Sequence, residues 1–83
     1  MADEPTPSTL GLRGQQVLVG MSYGLTNAEI AGLLGLSPHT VHTHISRLMR
    51  TLQCHERAHA VRLGFERGFL TMGDPLPRAR RQT

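Results

Sequence analysis

The chain has 83 residues, 39% of them hydrophobic, with one Tyr, two Phe and no Trp, so it can build one small domain around a modest core. Its nine basic residues, all arginine, outweigh six acids for a net charge of +3; this suits a polyanionic partner, since arginine grips phosphate and guanine through a two-pronged donor fork, although a GC-rich coding sequence would produce the same bias. A single cysteine, Cys54, excludes an internal disulfide; no apolar run approaches the roughly 20 residues of a membrane span and the N-terminus has no signal-peptide pattern, so a cytoplasmic protein without membrane association is expected.

Residues 1–9 contain Pro, Thr and acids with no apolar period and read as a mobile, disordered N-terminal arm. A first helix is predicted from about Arg13 to Tyr23, with Val17, Leu18 and Met21 on one stripe and Gly24 closing it in a left-handed conformation. Gly14 and Gly20 fall inside it and weaken it by about 1 kcal/mol each relative to Ala. The second helix opens on Thr26-Asn27-Ala28-Glu29, the pattern of a capping box, carries Ile30, Leu33 and Leu34 on its buried side, and stops at Gly35. Ser37-Pro38 then starts a third helix, Ser as N-cap and Pro at the first helical position, running to about Gln53. Its apolar residues Val41, Ile45, Leu48 and Leu52 recur at steps of four, three and four and fall in one narrow stripe. A fourth helix is predicted from about Glu56 to Phe69, with Ala60, Val61, Gly64 and Phe65 on its apolar side. The chain ends in a Pro-containing basic tail, residues 73–83, with Arg78, Arg80 and Arg81, also read as disordered. The domain proper is therefore residues 10–72, all-α, with four helices.

The third helix carries the functional signal. Opposite its apolar stripe lie His39, Thr43, Ser46 and Arg50, flanked by His42 and Arg47, and no acid occurs from Ser37 to Gln53. A solvated face usually carries both signs; one without acids, on a helix that follows a capped helix across a tight turn, suits duplex DNA. Arg50 and Arg47 can donate to guanine or phosphate, and the short Thr43 and Ser46 let the backbone approach the groove. The amides at the starts of the second and third helices can hold phosphate.

At these residues the chain resembles the LuxR/GerE-type helix-turn-helix. Gly24-Leu25-Thr26-Asn27-Ala28-Glu29-Ile30-Ala31, Leu34, Leu36-Ser37, Thr40-Val41 and His44 follow the pattern G-L-S-N-K-E-I-A-x-x-L-x-[IL]-S-x-x-T-V-K-x-H. The likeness continues through Ile45, Leu48, Leu52, Arg57, Ala60-Val61 and Gly68-Phe69-Leu70. The resemblance implies a four-helix transcriptional regulator domain whose third helix enters the major groove and whose fourth helix pairs two copies. By position it puts base contacts at His42, Thr43 and Ser46, and backbone contacts near Thr26, Asn27, Ser37 and Thr40. To these the residue reading adds Arg50 for bases and Arg47, Arg78, Arg80 and Arg81 for the backbone. It implies a homodimer joined at Ala60, Val61, Gly64 and Phe65. With no room for a receiver domain, a free-standing, GerE-like member is expected. Two departures stand out. His42 replaces the usual Lys after Thr-Val, so its neutral form brings one donor and one acceptor instead of a cation. Arg13 is kept, but Gly14 and Gln16 stand where the family has acids.

Five histidines and Cys54 do not fall at structural zinc spacings. Cys54 and His55 are neighbours whose side chains diverge by about 100° on a helix, so no metal, cofactor or catalytic activity is expected. The competing function is a protein-binding module that captures a transcription regulator or a polymerase subunit through the helix-turn-helix or the fourth helix. The two readings differ in salt dependence, and in whether Arg50→Ala or Val61→Asp abolishes binding.

Overall fold

The computed structural model describes residues 7–77, with the side chains of residues 7–9 excepted. Four helices follow one another: α1 (Pro7–Ser22), α2 (Asn27–Leu34), α3 (Pro38–Leu52) and α4 (Arg57–Glu66). Among the described residues no helix is long and apolar enough to cross a membrane. α3 is the central element, packing on α1, α2 and α4.

α1 begins earlier than the sequence suggests. A first turn from Pro7 is separated from the rest of the helix by Gly11, at φ 77° and ψ 167°, a region essentially confined to glycine that costs other residues on the order of 1–3 kcal/mol. The periodicity beyond Gly11 behaves as expected, with Val17, Leu18 and Met21 all buried. Beyond Ser22, Gly24 takes a left-handed φ of 77°, its amide bonding Met21 O while that of Leu25 reaches Gly20 O (2.9 and 3.3 Å). Gly20 has a use that offsets its low helix propensity: a Cβ there would sit 2.9 Å from Ile30 Cγ1, so the glycine lets α2 lie close on α1.

The capping box of α2 is formed. Thr26 Oγ1 accepts from Glu29 N (3.1 Å) and Glu29 Oε1 accepts from Thr26 N (2.8 Å). Thr26→Ala therefore lowers stability by about 1 kcal/mol, which a urea titration reads as a lower midpoint at unchanged slope. Ile30 and Leu34 are buried as predicted, but Ala31 shares the inner face and Leu33 is only half-buried. Gly35, left-handed at φ 70°, ends the helix. Ser37 Oγ accepts from Thr40 N (3.0 Å) and Pro38 starts α3. All of Val41, Ile45, Leu48 and Leu52 are buried.

α4 is shorter than predicted, ending at Glu66. The chain then turns through Gly68 (φ 83°), and Leu70 N returns to Gly64 O (2.9 Å). This fold-back puts Phe69 and Leu70 in the core, and Gln15 Nε2 on α1 donates to Phe69 O. Residues 73–77, assigned from sequence to the tail, are described against the body: Tyr23 OH donates to Asp74 O, and Pro77 is buried. Among the described residues no polar or charged residue is buried as a whole, so the core is lined by apolar side chains, with the Gln15 amide at its edge.

Candidate nucleic-acid interface

α3 divides its residues cleanly. With Val41, Ile45, Leu48 and Leu52 inside, the opposite side exposes His39, His42, Ser46, Arg47 and Arg50. Thr43 is half-buried, and its Oγ1 donates back to His39 O (3.2 Å). That leaves Thr43 its oxygen lone pairs and its methyl group for a ligand. Thr40 is also half-buried; its hydroxyl lies 2.9 Å from that of Ser37. Those two residues stabilise the start of α3 first, and a backbone contact there would share their hydroxyls with the cap.

On one flank α3 borders a groove that no single stretch of sequence reveals. Asn27, His42, Ser46, Arg50, His55 and Arg57 rim it, and Ile45 and Met49 form its apolar floor. Three of the residues read as DNA contacts on α3 thus share an opening with Asn27 of α2. The connection is made by Arg57, which sequence reasoning did not assign to the site. From the first position of α4 its Nη1 donates to Asn27 Oδ1 (2.7 Å) and its Nη2 to Leu25 O (2.9 Å). This fork ties α4 to the start of α2 and turns the amide Nδ2 of Asn27 into the group left to donate. The partners are thirty residues apart, so no local pattern signals the pair.

The fourth helix corrects part of the proposed pairing face. Ala60 is 0% exposed and belongs to the core. Gly64 is buried as well: a Cβ there would meet Leu70 Cδ1 at 2.8 Å and Leu18 Cδ2 at 3.0 Å. Both positions are used up by the chain's own packing, because the inward side of α4 is Ala60, Leu63 and Gly64. Val61 is half-buried and Phe65 is 37% exposed, so these two are the open part of the face. Arg78, Arg80 and Arg81 lie outside the described residues.

Cys54, in the turn between α3 and α4, is buried. Burial pushes its thiol up, with the Arg67 guanidinium pulling it part of the way back, and a thiol held neutral is a poor nucleophile. His55 and His59 are exposed. Among the described residues no three His, Cys, Asp or Glu side chains come together.

Two capped helices joined across a left-handed glycine, the second with one face locked in the core and the other open, define a helix-turn-helix domain. The family model for bacterial regulatory proteins of the luxR family matches residues 8–63, and the chain belongs to that family. It is similar to the transcriptional activator protein EchR of Dickeya chrysanthemi, with 33% identity over 70 residues, 84% of this chain and 28% of the relative. It is also similar to the transcriptional regulatory protein FixJ of Rhizobium meliloti, with 38% identity over 61 residues, 74% of this chain and 30% of the relative. A third relative is the uncharacterized transcriptional regulatory protein YxjL of Bacillus subtilis, 36% identical over 58 residues, 70% of this chain and 27% of its own length. The chain thus spans less than a third of these relatives. No solved structure matches it.

Proposed function

We propose that the chain is a transcriptional regulator that binds duplex DNA by sequence, with α3 in the major groove and two copies on a two-fold-symmetric site. The observation that carries this reading is the outward face of α3, exposed and free of acids, on a helix-turn-helix of the luxR family. His42, Thr43, Ser46 and Arg50 read bases in this scheme. Thr26, Asn27, Ser37, Thr40 and Arg47 hold the backbone, and Arg57 keeps Asn27 in position. Val61 and Phe65 contribute to pairing of the copies.

The test is selection of bound sequences from a random duplex library, eluted at low and high salt. An enriched, two-fold-symmetric motif that survives the higher salt supports the reading. Recovery of random sequence at low salt, and of nothing at high salt, overturns base recognition. Arg78, Arg80 and Arg81 add sequence-independent attraction. Removing residues 78–83 therefore weakens binding to every duplex about equally, in a mobility-shift series over several sequences. A changed order of preference among those sequences would defeat that role.

One observation favours a second reading, capture of another protein: the three family groove positions, His42, Thr43 and Ser46, carry no permanent cation. A protein-capturing module binds its partner with little salt dependence.

A further inference from the structure

The second flank of α3 has a different character from the first. There α3 meets the start of α1, and the groove between them is lined by three arginines, Arg13 from α1 and Arg47 and Arg50 from α3, together with His44 and Thr51. None of its lining residues is acidic. Arg13 Nη1 donates to Gln16 Oε1 (2.8 Å), a neutral acceptor, so among the described residues one of the five N–H groups of the guanidinium is used and no carboxylate compensates its charge. The described carboxylates are engaged elsewhere or lie off this groove: Glu29 caps α2, Glu66 pairs with Arg62, Asp74 accepts from Thr71 N, and Glu56 precedes α4. Gly11 and Gly14 form part of the α1 wall, and a Cβ at Gly11 would meet nothing within 4 Å among the described residues.

Three like charges gathered in one groove repel one another and call for an anion. Arg50 lines this groove and the one beside α2 and α4, which makes the cationic surface continuous with the proposed recognition face. From that convergence we propose that the α1–α3 groove holds the phosphodiester strand bordering the major groove, with Arg13 as a phosphate contact contributed by α1. The proposal rests on α3 entering the major groove. It moves the cationic grip from the middle of α3 to its edge, where Arg13 and Arg47 act as charges and His42, Thr43 and Ser46 are left to read bases.

The experiment measures affinity for a pool of random-sequence duplexes across a salt series, for the full chain and four variants. Neutralising one phosphate contact reduces the log–log salt slope by about 0.9. Arg13→Gln is expected to show that reduction, with the thermal midpoint unchanged. Arg13→Lys keeps the charge and keeps the slope. Gln16→Ala removes the internal hydrogen bond and also keeps the slope. Arg62→Gln, on the far end of an α4 ion pair, serves as the control and changes nothing. A steep slope for the unmodified chain that Arg13→Gln leaves intact overturns the groove proposal alone. So does a Gln16→Ala variant that loses as much as Arg13→Gln, since the role is then structural. No slope in the unmodified chain overturns the DNA reading itself.

Discussion

Ser46→Glu is expected to remove duplex binding while leaving the fold intact. Ser46 is exposed in the middle of α3, so the substitution disturbs no packing. Glu is also a better helix former than Ser, and the new carboxylate lies four residues before Arg50, the favourable order for an ion pair on a helix. The thermal midpoint should hold or rise slightly. Against DNA the same change is severe. It places a negative charge against the phosphate field and neutralises Arg50, and like-charge contacts at interfaces cost several kcal/mol. A loss of about 100-fold, about 3 kcal/mol, is a fair lower expectation. Fluorescence anisotropy with the selected duplex reads it directly. Unchanged affinity at low salt would remove the outward face of α3 from the interface.

Phe69→Ala carries the largest expected cost to stability. Phe69 is 2% exposed and among the largest fully buried side chains. It sits beyond α4, held over the core by the turn at Gly68 and by Gln15 bonding its carbonyl oxygen. Truncating a buried Phe costs about 3–5 kcal/mol, a large share of the roughly 5–15 kcal/mol that holds a domain together. For a chain of this size each kcal/mol is worth about 4–8 °C, so the melting midpoint should fall by more than about 10 °C. A fall of only a few degrees would mean that the segment after α4 is not part of the cooperative unit.

The helix-turn-helix was legible because its signals are local. Thr26 and Glu29, Ser37 and Pro38, and Gly24 and Gly35 each act within one turn of chain, and the spacing from Val41 to Leu52 repeats often enough to set one face. α1 was harder, since Gly11 interrupts the pattern and the turn before it is too short to show a period. α4 misled for a different reason. Ala60, Val61, Gly64 and Phe65 form a plausible small-residue face, and nothing nearby says that Leu70 folds back over Gly64, which depends on the turn at Gly68. The residues proposed for recognition could be grouped because they lie on the one face of α3 that the core leaves over. Arg57 could not, because its partners Asn27 and Leu25 are distant in sequence and meet it only once α2 and α4 have packed on α3. The same holds for the joining of Arg13 with Arg47 and Arg50.

The distribution of charge has a kinetic consequence. Every described carboxylate, Glu29, Glu56, Glu66 and Asp74, lies off α3, while Arg47 and Arg50 lie on it. Arg13, Arg57, Arg62 and Arg67, also off α3, offset those four acids, so the net charge of the described residues sits on α3, and in the field of a polyanion a charge so placed exerts a torque. The domain would approach duplex DNA already turned with α3 leading, and a larger share of random collisions would be productive. On the proposed reading, the bases that α3 meets decide how long the protein stays; the acids kept away from that helix govern how quickly it arrives.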